Sequence, residues 1–330
     1  MKTKLLYIVV SSENDIYLEQ TYVSMFSAKY YMPDAHIALL TDSTTTDSFV
    51  GVRNELVKYV DELIVVPLDS VKYNAQKRSR LLKTNARNHV EGDYLFIDSD
   101  TIVTKSFYEV DDITSEIAAC WDTHSPAKTS PFYNMTLRDG LKLGWPIEEE
   151  EFYFNSGVIY VKDTPLTHRF YTLWNKNLQD GYLTGVTMDQ PSFAKTNYMM
   201  GHVIETLHDT WNCELKYGIR WLKDAKIVHY LTTNRSKNKG EQFFILNRTD
   251  VLENLKKNPE ITSELMNVVK DPFNGIANLT HCFAGEDVMF FSSILFDYTR
   301  AIYGTRTQSF YEFMIRAYCK VKRCFQNLNK

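Results

Sequence analysis

No run of about 18 consecutive apolar residues occurs in the 330-residue chain, which excludes a helix built to span a bilayer. The first apolar strand begins within four residues of Met1, with no basic start, apolar middle and small-residue cleavage site, so no secretory leader is expected. Cysteine is sparse: the five residues at 120, 213, 282, 319 and 324 are odd in number and lack CxxC spacing. That pattern points to free thiols in a reducing compartment rather than to a disulfide framework, and the expected location is cytoplasmic. There is no basic excess, since 37 Lys and Arg face 41 Asp and Glu. Without a basic footprint, nucleic acid is excluded as a partner. Internal repeats and low-complexity linkers are absent as well.

What is present reads as one large α/β unit with an appendage. Leu5–Val10 is an apolar strand, followed by the polar turn 11–15 and a helical pattern through Tyr22, Met25, Phe26 and Tyr30 that Pro33 closes. Strands are expected at His36–Leu40, Leu63–Val66, Tyr94–Ile97, Ile117–Cys120 and Val158–Val161, with helices over 49–60 and 76–90. Strands alternating with helices mean βαβ units and a parallel sheet. The Pro- and Gly-bearing segment 123–151 is expected as a loop able to fold over a site, and beyond Tyr230 the pattern turns helical.

Charge is unevenly spread. Residues 300–330 carry seven Lys or Arg against one acid, Glu312, while the remaining 299 hold 30 basic against 40 acidic side chains. Phe310, Phe313, Met314, Ala317, Tyr318, Val321 and Phe325 share one stripe of this terminal helix. Such a helix docks on the body with a solvated basic face, or lies on an anionic membrane surface.

The most informative stretch is Tyr94-Leu95-Phe96-Ile97-Asp98-Ser99-Asp100-Thr101-Ile102-Val103. Four apolar residues read as a strand buried on both faces, and ligands of parallel sheets collect at the carboxyl ends of their strands. Two carboxylates one residue apart at that edge must be solvated, paired or on a cation, and a divalent ion shared with a substrate's phosphates suits them.

Further segments follow in order. Ser11-Ser12-Glu13-Asn14-Asp15-Ile16-Tyr17 follows strand one; a basic run holds Lys77, Arg78, Arg80 and Lys83; then come Phe154-Asn155-Ser156-Gly157-Val158, Met188-Asp189-Gln190, Trp211-Asn212 and Lys226-Ile227-Val228-His229-Tyr230. Together they resemble nucleotide-sugar-dependent glycosyltransferases of the GT-A type, most of all family 8, which includes glycogenin and bacterial lipopolysaccharide sugar transferases. The resemblance runs from about residue 4 to about residue 235. It implies a Rossmann-like, mostly parallel central sheet flanked by helices over residues 1–240, with 241–330 as a helical C-terminal region ending in the basic amphipathic stretch.

The resemblance also implies roles. Ser12, Asn14 and Tyr17 would receive the nucleotide, with the Tyr17 ring offering a face for the base. Lys83, fifteen positions before Asp98, would meet the diphosphate. Asp98, Asp100 and His229 would hold Mn²⁺ or Mg²⁺, an imidazole ligand tilting the choice toward Mn²⁺. Asn155 and Gly157 would approach the donor sugar, Asp189 and Gln190 would face its anomeric centre, and Asp122 is a weaker candidate for sugar contact. Family 8 follows its histidine with Gly at the third position and Lys-Pro-Trp from the sixth, whereas here stand Thr232 and Arg235-Ser236-Lys237. Arg235 is expected to replace the lysine's charge, with a different geometry.

The implied reaction is metal-dependent transfer of a sugar, with retention, from a UDP-sugar to a hydroxyl of a glycan or lipid-linked acceptor, as in envelope polysaccharide or glycolipid synthesis. A peripheral contact of 300–330 with the inner membrane face belongs to that expectation. Phe-Ile-Asp-Ser-Asp-Thr also fits the nucleophile motif of haloacid-dehalogenase-like phosphatases, but three βα units precede it and Asp111-Asp112 follow too soon. A sugar nucleotidyltransferase would need a Gly-rich loop after strand one. A non-catalytic sugar-nucleotide or glycan binding protein is the remaining alternative.

Overall fold

The computed structural model describes residues 1–147, 152–231 and 244–276, then 289, 293–302, 305, 307–311, 313–315 and 317–318. Its strands are β1 (Lys4–Val9), β2 (Ile37–Asp42), β3 (Glu62–Val66), β4 (Tyr94–Ile97), β5 (Thr101–Val103), β6 (Ile117–Trp121), β7 (Phe154–Val161), β8 (Glu205–Thr206), β9 (Cys213–Glu214) and β10 (Ile227–His229). Seven form the central sheet in the order β3-β2-β1-β4-β7-β6-β8, and β5-β10-β9 form a second, three-stranded sheet. The central sheet is mostly parallel, as expected, with β7 antiparallel to both β4 and β6.

Alternation along the strands divides the core. Leu5, Tyr7, Leu39, Leu95 and Tyr160 point to one side, where they meet Leu18, Tyr22 and Val23 of α1 (Tyr17–Tyr31). Leu6, Ile8, Leu40, Phe96 and Ile159 point to the other, against a long helix over Pro165–Thr184 and the shorter one over Asp189–Met199. Both faces being covered is why these strands read as near-continuous apolar runs. The long helix starts in a capping box between Thr164 and Thr167 with Pro165 at its first position, and stops at Gly185, whose φ of 78° is the left-handed cap a Cβ disfavours. Its Trp174 is fully buried, and truncating such a side chain to alanine costs about 3–5 kcal/mol.

Several expected boundaries move. Helix 49–60 contracts to Val52–Glu55, because Gly51 at φ 56° and turns on either side interrupt it. The basic helix spans only Ala75–Thr84 before a 3-10 turn at Ala86–Asn88. Segment 123–151 is not all loop: Tyr133–Leu143 is a helix ended by Gly144 at φ 65°. The helices over Thr249–Leu255 and Ser263–Lys270 share the core of the main sheet, placing Leu252, Leu255, Leu265 and Val268 with Leu18 and Tyr22. The Tyr22 hydroxyl donates to the Pro259 carbonyl at 2.6 Å, and Lys256 Nζ donates to the Glu13 carbonyl at 2.9 Å. Cys120 and Cys213 are buried free thiols. Among the described residues, no helix is long and apolar enough to cross a membrane.

One buried charge is poorly served. Glu19 is 0% exposed, neither carboxylate oxygen has a hydrogen-bond partner, and Arg53 Nη1 stands 3.7 Å away. Burial pushes its carboxyl up to about 6. The charged form is thus disfavoured in the fold, so this residue's contribution to stability falls as pH rises from the ordinary carboxyl range through about 6. Glu19→Gln is expected to stabilise the protein by about 1–2 kcal/mol at mildly alkaline pH. The gain should close at acidic pH; urea denaturation at the two pH values checks this, and a pH-independent gain would contradict it.

Candidate active site

The site is assembled where the two sheets meet. β1 and β4 are adjacent and parallel, so the loop 11–16 and the turn Asp98-Ser99-Asp100 leave the same edge of the central sheet. The Asp98 backbone N–H donates to the Gly157 carbonyl at 2.8 Å, and the Asp98 carbonyl accepts from Thr101 Oγ1 at 2.8 Å, which fixes the turn. The chain then enters β5, whose antiparallel partner is β10 in the register Thr101↔His229. Buried Ile227 and Val228 anchor that strand and deliver His229 beside Asp100.

The ligand-capable atoms of Asp98, Asp100 and His229 all lie within 4.8 Å of one another. His229 Nε2 is 3.1 Å from Asp100 Oδ1, while Nδ1 is 3.1 Å from Asn212 Oδ1. Burial opposes the charge on the imidazole, but Asp100 outweighs it and the ring's pKa is raised. Burial also pushes the Asp98 carboxyl up to about 6, with Lys83 pulling down and Asp100 pushing further up. Two crowded carboxylates facing an imidazole nitrogen can share a cation, and oxygen plus one imidazole is a donor set suited to Mn²⁺ or Mg²⁺. The residues present therefore fit a divalent metal.

Behind the acids sits Lys83, from the helix Ala75–Thr84. Its Nζ is 3.0 Å from Asp189 Oδ2, 3.5 Å from Asp98 Oδ1 and 4.8 Å from the centre of the Phe96 ring. Burial opposes the ammonium, but Asp189 and then Asp98 keep its pKa raised. Burial likewise opposes the Asp189 charge, yet Lys83 and Arg80 hold that carboxyl below its ordinary range. Asp189 opens the helix Asp189–Met199 and also accepts from Ser156 Oγ at 3.0 Å. Gln190 Oε1 accepts from the Ser156 N–H at 3.3 Å, and its side chain bonds Asp122. Asn155 is 5% exposed; its Nδ2 donates to Asp122 Oδ1 at 2.9 Å.

Gly157 has a steric reason. A Cβ there would stand 2.8 Å from His229 Nδ1 and 2.9 Å from Asn155 Oδ1, closer than side chains approach. The nucleotide-binding candidates lie on the neighbouring loop. Ser12 N–H and Oγ donate to Asp15 Oδ2 at 2.8 and 3.0 Å, Asn14 is exposed, and Tyr17, 38% exposed, starts α1. Thr21 Oγ1 ties that helix to the metal-side turn, bonding both the Tyr17 carbonyl and Ser99 Oγ at 2.8 Å. Thus Ser12, Asn14, Tyr17, Lys83, Asp98, Asp100, Asn155, Gly157, Asp189, Gln190 and His229 gather at one sheet edge, while Arg235 lies outside the described residues. Arg80, 3.7 Å from Asp189, and Ser156, whose Oγ donates to Asp189, join the site without a role legible in their sequence context. An open cavity of about 720 Å³ lies past His124, with Lys128, Tyr133, Arg220 and Tyr298 in its walls.

Comparison with known proteins bears on the fold. The galactosyltransferase LgtC, solved in complex with donor and acceptor sugar analogs, superposes with a TM-score of 0.52 at 13% identity, over 80% of this chain and 99% of that one. Mouse xyloside xylosyltransferase 1 in its apo form gives 0.47 at 16% identity, over 71% and 98%. The glycosyltransferase GlyE of Streptococcus pneumoniae TIGR4 gives 0.49 at 17%, over 81% and 63%. No protein-family model matches the chain, and no curated protein matches it in sequence. At these identities the likeness to LgtC establishes the architecture: the chain has the GT-A fold.

The glycine contact yields a test. Gly157→Ala is expected to displace the His229 ring and weaken Mn²⁺ binding by roughly tenfold or more. Far-ultraviolet circular dichroism should stay native. Unchanged affinity by titration calorimetry would show that the ring has no part in holding the ion.

Proposed function

We propose that the chain is a metal-dependent glycosyltransferase that moves a sugar from a nucleoside diphosphate, UDP, to a hydroxyl of a glycan or lipid-linked acceptor. The observation that carries this reading is the convergence of Asp98, Asp100 and His229 within 4.8 Å at the carboxyl edge of the sheet. The Lys83–Asp189 pair beside them adds a cation and an anion to the same pocket. A divalent ion held by the two acids and the imidazole supplies charge neutralisation for the departing diphosphate.

The chain's own residues do the rest. Tyr17 would offer its half-exposed ring to the base, and the exposed Ser12 and Asn14 on the same loop would read the ribose hydroxyls and the base amides. Lys83, 3.5 Å from Asp98 Oδ1, would add an ammonium to the charge that meets the diphosphate, and Arg235, outside the described residues, would be a second positive group. Asp189 and Gln190 orient the sugar. Asp189 is ion-paired with Lys83 and Arg80 and accepts from Ser156 Oγ, which lowers its basicity and suits it to positioning rather than to attack. Retention at the anomeric carbon is what the family resemblance implies, and front-face displacement assisted by the leaving phosphate is the working mechanism.

Residues 300–330 would hold the enzyme on the inner face of a membrane, in envelope polysaccharide or glycolipid synthesis. Exposed Phe310, Phe313, Met314 and Tyr318 and the seven basic residues of that stretch support the contact.

Two experiments decide. UDP release from a panel of UDP-sugars should require Mn²⁺ and fall by roughly a hundredfold or more in Asp100→Ala. Turnover that persists in that variant, or without metal, would refute the assignment. Sedimentation with anionic vesicles at low salt should be lost when residues 300–330 are removed, and a tail-independent result would sink the membrane contact.

A further inference from the structure

Four buried side chains run from the sheet to the metal-side imidazole, and their hydrogen-bonding chemistry admits one order. The Gly157 backbone N–H can only donate, and Asn155 Oδ1 receives it at 2.8 Å. Asn155 Nδ2 in turn donates to Asp122 Oδ1 at 2.9 Å. The Asn155 amide is therefore oriented twice, and its oxygen also faces Asn212. Asn212 must meet that oxygen with Nδ2, at 2.9 Å, which turns its own oxygen toward His229 Nδ1 at 3.1 Å. Only an Nδ1–H completes the chain, which leaves Nε2, 3.1 Å from Asp100 Oδ1, as the nitrogen on the side of the acids.

We propose that Asn212 and Asn155 are positioning residues that fix the tautomer and aim of the His229 ring, with the Gly157 N–H and the Asp122 carboxylate as their fixed points. This deepens the metal-dependent reading and rests on it only for what the ring is aimed at. Relative exposures of 8% for Asp122, 5% for Asn155, 0% for Asn212 and 4% for His229 leave little room for water to relieve a wrong orientation. Flipping Asn212 would set oxygen against oxygen at Asn155 and nitrogen against nitrogen at His229. Each buried group left unsatisfied in that way costs about 1–3 kcal/mol.

The arrangement also revises what Asn155 is for. Its oxygen already accepts from Gly157 and Asn212, so it serves the relay and not the hydroxyls of a donor sugar. Asn212, given no role in the site from the sequence, becomes the direct partner of the ring. Metal-bound histidines are commonly oriented through their second nitrogen, and loss of that partner typically lowers metal affinity ten- to a hundredfold.

The test has two independent readouts. Nitrogen-15 spectra of metal-free protein report whether Nδ1 carries a proton; His229→Gln assigns the signal among the eight histidines. The wild type should show Nδ1–H, and Asn212→Leu should shift the ring toward Nε2–H. By calorimetry Asn212→Leu should bind Mn²⁺ roughly ten- to a hundredfold more weakly. A wild-type ring with no proton on Nδ1 overturns the proposal, and so does an Asn212→Leu variant with unchanged tautomer and affinity. The wild-type spectrum decides the matter even if that variant fails to fold. Absence of Mn²⁺ binding in the wild type would count against the metal-dependent reading alone, because the tautomer would still be measured.

Discussion

Three residues of antiparallel pairing, Thr101–Val103 against Ile227–His229, hold the candidate site together. They join points more than a hundred residues apart in sequence, and without them the histidine would have no reason to stand beside the two carboxylates. The pairing is secured by apolar burial, because Ile102, Val103, Ile227 and Val228 are all 0% exposed and belong to the same core as α1. Hydrophobic contact thus supplies the positional precision that a cluster of mutually repelling groups cannot supply for itself.

Charge in the pocket is arranged in two opposed tiers. The outer tier, Asp98, Asp100 and His229, carries more negative than positive character and suits an added cation. The inner tier, Lys83 between Asp98 and Asp189 with Arg80 behind, is internally compensated. Separating the two keeps Asp189 ionised deep in the structure while the carboxyl of Asp98 is driven up by burial. A buried ion pair gains little net stability once desolvation is counted, so the pairing is better understood as placement of functional groups than as reinforcement of the fold.

Much of this was legible in the sequence, for a physical reason in each case. Strands covered on both faces must be apolar throughout, so Tyr94–Ile97 and Leu5–Val9 declared themselves, and the acids after Ile97 stood out because nothing in a core wants them. Gly157 was legible as a close approach, though what it approaches, the His229 ring, was not. The helix over Tyr133–Leu143 was missed because Pro and Gly residues around it masked a short periodic stretch. The second sheet was largely missed because strands of two or three residues carry no readable period.

By itself the sequence determined the order of elements, the mostly parallel sheet and the pair of acids at the end of β4, since burial and spacing act locally along the chain, while the other residues at that edge were named only through the resemblance. Only the tertiary structure decided which nitrogen of His229 faces the acids, that Lys83 lies between Asp98 and Asp189, and that Asn155 and Asn212 form one relay with Asp122. Those outcomes depend on hydrogen-bond directions between groups 15 to 129 positions apart. Such directions are set by strand register and by which buried donors can only donate, and no linear pattern encodes them.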